Sequence, residues 1–286
     1  MDATPRPLSL PDRMEALAAR PWTRLLDRAL GPARDVPTML SVEEQKLYYW
    51  LAAFWAEGAG AVVDLGCFAG GSTARLAEGA RVAGHGGAVH AFDRFTADES
   101  AKARILHPQG VPAFEGTDIL PLARRLLAPW EGRITLHRGE IEAANWAAGP
   151  IELLVMDASK TAATGDAMAG IFFPHLIAGR SLIVQQDYLH WSQPWVPAQM
   201  EALAEFVRPV AHAPRDTVVF LVERVPDATA LAAARIADLD DAALDAHLAS
   251  AAARLEGFGL APRLAEMRAA LAGNPGERRA FAFTRP

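Results

Sequence analysis

The chain has 286 residues, of which 51% are hydrophobic and 22% are charged, and its formal net charge is −6. This excess of acid argues against a protein that holds nucleic acid through a basic face, and a lone cysteine, Cys67, excludes an internal disulfide or a cysteine-rich metal site. No apolar run reaches the ~18–20 residues that cross a bilayer, and the proline-containing start is unlike a signal peptide, so we expect a cytoplasmic protein without a membrane partner.

The first 40 residues are predicted to form an irregular arm and a helix. Residues 1–11 contain three prolines, and a helical pattern then covers residues 11–30. A second helix is predicted to begin at Ser41, because Ser41 and Glu44 have the spacing of a capping box.

From residue 41 to residue 224, short apolar runs alternate with helical stretches. This alternation is typical of βαβ units, and right-handed crossovers then favour an α/β fold with a doubly wound, mostly parallel, seven-stranded sheet. The last two strands are joined by only four residues, so we expect them to pair antiparallel. The predicted strands cover residues 61–65, 88–92, 133–136, 151–156, 181–184, 209–212 and 217–222, and the predicted helices cover residues 72–79, 118–127, 140–146, 165–177 and 197–207.

Residues 225–286 are rich in alanine and are predicted to form a helical extension. Asp240 and Asp241 suit the start of one helix, and Pro262 suits the first turn of another. One hypothesis for this extension is that it joins two copies of the chain in a homodimer.

The loop after the first strand carries the strongest functional signal. Gly66, Gly70 and Gly71 lie where a strand becomes a helix, and without a Cβ they let a ligand approach the backbone closely. The free backbone N–H groups at the helix start favour an anionic group. The hydroxyls of Ser72 and Thr73 can accept hydrogen bonds from some of these N–H groups. Three glycines alone also suit an ordinary tight turn, so the neighbouring residues must show whether the loop binds a ligand.

Two carboxylates favour a particular kind of cofactor. Asp64 lies at the end of the first strand, where it would repel the pyrophosphate of a nicotinamide cofactor and attract a cationic amino-acid portion. Asp93 ends the second strand, where a carboxylate can accept hydrogen bonds from both hydroxyls of a ribose. A nicotinamide-dependent oxidoreductase is therefore the disfavoured hypothesis.

Together, the 64–73 loop and Asp93 resemble the class I S-adenosylmethionine-dependent methyltransferases, over roughly residues 41–224. The resemblance implies a Rossmann-like methyltransferase fold, with the loop around the methionine portion, Asp93 at the ribose and Gly139-Glu140 at the adenine. The cofactor contacts that it implies are Asp64, Gly66, Cys67, Phe68, Gly70, Gly71, Ser72, Thr73, Asp93, Arg94, Gly139, Glu140 and Asp157.

Two further acids, Asp157 and Asp187, follow the fourth and fifth strands. The carboxyl ends of parallel strands define the ligand crevice, so we expect these side chains to face each other, and they repel unless a cation lies between them or one holds a proton. One hypothesis is magnesium held by Asp157, Gln186 and Asp187. The other is that no metal binds and that Asp157 binds substrate or a helix N-terminus.

This pair of acids resembles the metal-dependent O-methyltransferases, of both the catechol type and the macrocin O-methyltransferase-like type. Asp157-Ala-Ser-Lys160 matches the Asp-x-x-Lys segment of the catechol type. The chain departs from both types at Gln185 and Gln186, where they have an additional acid, and the expected affinity for magnesium is lower as a result.

Lys160 and His190 are the candidates for removing a proton from an acceptor. A desolvated lysine can lose its proton near neutral pH and act as a base, although a solvated loop lysine is the plainer interpretation. His190 lies in an aromatic loop, residues 188–195, whose rings either wall the acceptor pocket or pack the loop onto the sheet.

These observations predict methyl transfer from S-adenosylmethionine to an oxygen of a small-molecule sugar, phenol or natural product. Asp157, Asp187 and Gln186 would hold the metal that lowers the pKa of the hydroxyl, and Lys160 or His190 would take its proton. Two rival hypotheses are a metal-independent methyltransferase and a non-catalytic binding protein that keeps the fold.

Overall fold

The computed structural model describes residues 9–285 of the chain; residues 1–8, most of the predicted irregular arm, lie outside the described residues. One seven-stranded sheet forms its centre. The strands are β1 (Ala61–Leu65), β2 (Val89–Asp93), β3 (Ile134–Arg138), β4 (Ile151–Met156), β5 (Leu182–Gln185), β6 (Val207–His212) and β7 (Val218–Val222). They lie in the order β3-β2-β1-β4-β5-β7-β6, and β7 runs antiparallel to both of its neighbours, β5 and β6, while the other adjacent pairs are parallel. The predicted α/β class, with its antiparallel last pair, is confirmed.

Helices cover both faces of this sheet, because the central strands are apolar on both sides. The helices are α1 (Leu10–Ala18), α2 (Val42–Trp50), α3 (Gly71–Ala83), α4 (Glu99–Ala101), α5 (Leu120–Leu126), α6 (Ala162–Phe172), α7 (Trp195–Ala202), α8 (Ala228–Ala233), α9 (Asp241–Arg254) and α10 (Ala261–Gly273). Along β4, Leu153 and Val155 pack with the layer that contains α2 and α3, whereas Leu154 and Met156 pack with the layer of α6, α7, α9 and α10. Within residues 9–285, no helix has the length and apolar character needed to cross a membrane.

Two helix starts that the sequence predicts from capping residues are confirmed. The Ser41 hydroxyl accepts the N–H of Glu44 (3.3 Å), and the Glu44 carboxylate accepts the N–H of Ser41 (2.7 Å), which is the predicted capping box of α2. At the other end of the chain, Asp240 caps α9 by accepting the N–H of Ala243.

Two predicted helices are wrong. The pattern over residues 11–30 continues as α1 only to Ala18, because Arg20 adopts a left-handed backbone (φ 50°) before Pro21 and short 3₁₀ turns follow. The stretch 140–146 forms only a 3₁₀ turn at Ile141–Ala143. Here tertiary contact overrides local propensity, since the Trp146 ring packs beneath the sheet against β2 and α6.

The strand order reverses between β1 and β4, and that reversal positions the candidate site. The chain leaves β1 toward β2 on one side, while β4 and β5 lie on the other, so the loops that follow β1 and β4 separate at their carboxyl ends. The N–H of Asp157, just after β4, donates to the carbonyl of Leu65 at the end of β1 (2.8 Å). The predicted acidic and glycine-rich loops therefore begin side by side before they diverge.

Candidate active site

Two cavities open at the carboxyl ends of the strands. The larger cavity has a volume of about 380 Å³ and the smaller cavity about 210 Å³. Asp157, Lys160, Gln186, Asp187 and His190 line the smaller cavity. The larger cavity brings together seven residues that the resemblance implied for the cofactor, namely Gly66, Phe68, Asp93, Arg94, Gly139, Glu140 and Asp157.

Asp157 and Lys160 line both cavities. Asp157 also borders a narrow gap of about 20 Å³ between the glycine-rich loop and residues 37–40. Of the other predicted cofactor residues, Cys67, Gly71 and Ser72 border only this gap, and Asp64, Gly70 and Thr73 border none of the three spaces. The structure thus places Asp157 at the junction of all three.

The missing Cβ atoms of the loop serve the packing of the chain itself. Gly66 has a left-handed backbone (φ 99°), and a Cβ there would lie 2.7 Å from the carbonyl oxygen of Asp157. A Cβ on Gly71 would lie 2.5 Å from the carbonyl oxygen of Pro37. Neighbouring backbone therefore fills the Cβ positions of both glycines, although Gly66 still lines the larger cavity.

Gly71→Ala is therefore expected to lower the free energy of unfolding by about 1–3 kcal/mol, the usual cost of overpacking a filled site. Urea denaturation followed by circular dichroism measures this change. Gly170, inside α6, is a matched control because no atom lies within 4 Å of the position of its Cβ. Gly170→Ala should be neutral or stabilising by up to about 1 kcal/mol, and equal effects at the two sites would contradict the prediction.

Asp64 lies beneath the glycine-rich loop and not at the mouth of the crevice. Its side chain is fully buried, and its Oδ2 accepts hydrogen bonds from the hydroxyls of Ser72 (2.7 Å) and Thr73 (2.6 Å). Its Oδ1 has no hydrogen-bond partner in the part of the chain that the structure describes. Burial raises the pKa of Asp64 to about 6, against the two hydroxyls, which lower it. The prediction that Ser72 and Thr73 satisfy the amides at the start of α3 is wrong, because their hydroxyls donate to this carboxylate.

Asp93 lines the larger cavity, and its carboxylate can accept hydrogen bonds from a ligand there. Its two carboxylate oxygens accept the backbone N–H groups of Phe68 (2.9 Å) and Phe95 (2.6 Å), one each. Burial raises the pKa of Asp93, and these two amides oppose the rise. Each oxygen keeps a further acceptor position, so the carboxylate can still receive two hydroxyl donors from a ligand in the larger cavity.

The ammonium of Lys160 lies between the two predicted acids. Its Nζ is 3.2 Å from Oδ1 of Asp157 and contacts Oδ2 of Asp187 directly. Burial opposes the lysine charge, but the two carboxylates raise the pKa of Lys160 well above its ordinary value. The cation predicted between the acids is thus a side chain of the protein itself. These surroundings favour the protonated form of Lys160 and so argue against its predicted role as a neutral base.

The two acids have unequal surroundings. Burial raises the pKa of Asp157, and the charge of Asp187 adds to this rise, while Lys160 opposes it. At Asp187 the Lys160 ammonium and a hydrogen bond from the Gln193 amide (2.7 Å) outweigh burial and lower the pKa. A carboxylate with a raised pKa is the better proton acceptor, so Asp157 is better suited than Asp187 to act as a base.

Gln186 belongs to a buried network and not to a metal site. Its Oε1 accepts the hydroxyls of Tyr48 (2.5 Å) and Thr217 (2.9 Å), and its Nε2 donates to Glu44 (3.1 Å). Within residues 9–285, no group of three or more histidine, cysteine, aspartate or glutamate side chains is placed to hold a metal ion. The predicted magnesium ligands do not fit the ion, because the amide is already committed and an ammonium lies between the two carboxylates.

The aromatic loop mostly packs onto the sheet. Tyr188 is buried against Phe220 (ring centroids 5.3 Å apart), and the buried Trp195 donates its indole N–H to the carbonyl of Ser159 (2.7 Å). Of the aromatic and histidine side chains in this loop, His190 alone lines the smaller cavity, and its Nδ1 lies 3.0 Å from the Ser192 hydroxyl. Of the two alternatives predicted for this loop, Tyr188 and Trp195 follow the second, in which the rings pack the loop onto the sheet.

Some lining residues come from parts of the chain that the sequence placed outside the site. Met39, Leu40 and Glu44 line the smaller cavity, and Phe281, close to the C-terminus, lines the larger one. The sequence pattern identifies Glu44 only as a helix cap, but Glu44 is buried, and its second carboxylate oxygen also joins it to the Gln186 network. For Phe281 no local sequence signal exists, since its position depends on how the C-terminal helices pack.

No protein-family model matches the chain, and no curated protein matches its sequence. Among solved structures, it is similar to a methyltransferase from Podospora anserina with bound SAH (15% identity, 79% of this chain and 91% of that one, TM-score 0.46). It is also similar to the calicheamicin methyltransferase CalS11 (13%, 77% and 99%, TM-score 0.41). A third is an O-methyltransferase from neocarzinostatin biosynthesis in complex with S-adenosylmethionine and 2-hydroxy-5-methyl naphthoic acid (14%, 74% and 68%, TM-score 0.34). Likeness at this level concerns the fold alone.

Proposed function

We propose that the protein is an S-adenosylmethionine-dependent methyltransferase that methylates a hydroxyl group of a small molecule. The observation that carries this proposal is that Asp157 and Lys160 line both cavities. A cofactor in the larger cavity and an acceptor in the smaller one would meet at these two side chains. Placing two reactants side by side in this way is the main contribution a protein makes to a displacement reaction.

The larger cavity suits the nucleoside. Its volume of about 380 Å³ is in the range of small-ligand sites. Asp93 would hold the ribose hydroxyls, and the space beside Gly139, where a Cβ would meet no atom within 4 Å, is open to the base. The buried Asp64 borders neither cavity, so it would act on the cationic amino-acid portion of the cofactor through its charge and not through a contact. When bound, S-adenosylmethionine supplies the electrophilic methyl group.

The residues of the smaller cavity suit proton removal from a hydroxyl. Asp157 would accept the proton, since its carboxylate has a raised pKa and borders both spaces. Lys160 would attract the developing negative charge on the acceptor oxygen and keep Asp187 ionised. His190 would contact the acceptor from the loop after β5. The charged and polar lining favours an acceptor that carries hydroxyl groups.

A titration with S-adenosylhomocysteine tests the cofactor and the metal together. We expect calorimetry to detect binding, with the same Kd in EDTA and in excess magnesium, because Lys160 occupies the place between the acids. A matching rise in Tm should accompany binding. Absence of binding would overturn the proposed function. A Kd that is markedly lower in magnesium than in EDTA would contradict the claim that no metal binds between the two acids.

A further inference from the structure

The C-terminal segment 277–284, here called the tail segment, is attached to the loop that follows β4. The N–H of Ala280 donates to the carbonyl of Lys160 (2.9 Å), and the N–H of Ala162 donates to the carbonyl of Arg278 (3.0 Å). Thr161 and Arg279 form an antiparallel bridge between these two hydrogen bonds. The tail segment is therefore joined to the backbone that carries Lys160, at the edge of the larger cavity.

Phe281 lies in this segment between two anchored stretches of the chain. Before it lie the backbone hydrogen bonds of Arg278 and Ala280. After it, Phe283 is buried against Trp195 (ring centroids 5.9 Å apart). Thr284 then exchanges two hydrogen bonds with the Asn274 side chain (2.8 and 2.9 Å). The exposure of Phe281 is thus a feature of an anchored segment and does not reflect a loose chain end.

The Phe281 ring is unusually exposed for an aromatic side chain that lines a cavity. Its relative exposure is 76%, the highest of the large hydrophobic side chains in the described part of the chain. It lines the larger cavity, together with Asp93 and Gly139, and does not line the smaller one. A ligand that covers the ring would accordingly be the occupant of the larger cavity and not the acceptor.

We propose that Phe281 stacks on the purine base of the nucleoside cofactor and so makes the tail segment part of the cofactor site. This inference rests on the proposed function. An apolar ring held at the cavity edge is suited to the flat face of a base, which offers stacking without any need for hydrogen bonds. Because the tail segment is hydrogen-bonded to the Lys160 loop, the bound base would also lie on the segment that braces the proposed catalytic residues.

Calorimetric titration of Phe281→Ala with two probes tests this contact. One probe is S-adenosylhomocysteine, and the other is methylthioadenosine, which keeps the base and ribose but lacks the amino-acid portion. We expect the Kd of both probes to rise by a similar factor, about tenfold for the loss of one stacking contact. Phe281→Tyr should restore most of the affinity, because it keeps the ring.

Phe54→Ala is the matched control, since Phe54 is also exposed (57%) but lines neither cavity. It should leave both Kd values unchanged, and unaltered Tm values of the ligand-free variants would show that they fold. If the wild type binds both probes and Phe281→Ala binds them equally well, this inference alone is overturned. If Phe281→Ala raises the Kd of S-adenosylhomocysteine but not that of methylthioadenosine, Phe281 lies at the amino-acid portion, and the inference is also overturned. Wild-type protein that binds neither probe overturns the proposed function and this inference together.

Discussion

Asp157→Asn is expected to lower kcat for methyl transfer by about 10²- to 10⁴-fold, which is the usual contribution of a general base. The amide has nearly the shape of the carboxylate but cannot accept the hydroxyl proton. Affinity for S-adenosylhomocysteine should change little, because Asp93 and Gly139 still line the larger cavity. Radiolabelled S-adenosylmethionine, supplied with a panel of hydroxyl compounds that the wild type methylates, measures the rate, and calorimetry measures the affinity.

The same substitution at Asp238 controls for the loss of one carboxylate. Asp238 is largely exposed, and Arg235 (3.3 Å) is its only ion-pair partner among residues 9–285, so Asp238→Asn should leave the rate unchanged. A rate for Asp157→Asn within a few-fold of the wild type would show that this carboxylate does not remove the proton. The position of Asp157 at the junction of the cavities would then be structural only.

The contribution of Lys160 to the rate of methyl transfer is expected to depend on its positive charge and not on its ability to accept a proton. Lys160→Met should lower kcat about 10²-fold, comparable to the loss of one preorganised electrostatic donor. It removes the cation between Asp157 and Asp187, so the two carboxylates then repel, and one of them takes up a proton. Lys160→Arg keeps a positive charge and should retain most of the activity, although arginine cannot act as a base. Initial rates at saturating S-adenosylmethionine compare the two variants.

Lys46→Met provides the control for this pair of variants. Lys46 forms an ion pair with Asp27 (2.8 Å) and lines neither cavity, so its loss should not affect transfer. If Lys160→Arg proves as inactive as Lys160→Met, a positive charge at this position is not sufficient for transfer, and the role assigned to the charge of Lys160 is refuted.

The N-terminal elements and the C-terminal tail both contribute to the candidate site. Met39 and Glu44 come from the chain before β1, and Phe281 comes from the chain after α10. The sequence placed the site wholly within residues 41–224 by resemblance, so it included Glu44 only as part of a helix. Residues this far apart in sequence meet because α2 covers one face of the sheet while the C-terminal helices cover the other.

The sequence by itself determined the strands, the antiparallel end of the sheet, the Ser41 capping box and the loops in which Asp93, Asp157 and Asp187 lie. These features depend on local hydrophobic periodicity and on where each strand ends, and both can be seen in a short window of sequence. Parallel strands bring such loops to one edge, so their meeting was also predictable.

Only the tertiary structure decided which side chains face one another. It showed that Lys160 fills the place proposed for magnesium, that Gln186 turns to Tyr48 and Glu44, and that Asp64 is buried beneath its loop. The physical reason is that a buried polar group takes the partner that the long-range packing places nearest to it, because leaving it unpaired is costly. That partner lies many residues away, and no local pattern encodes it.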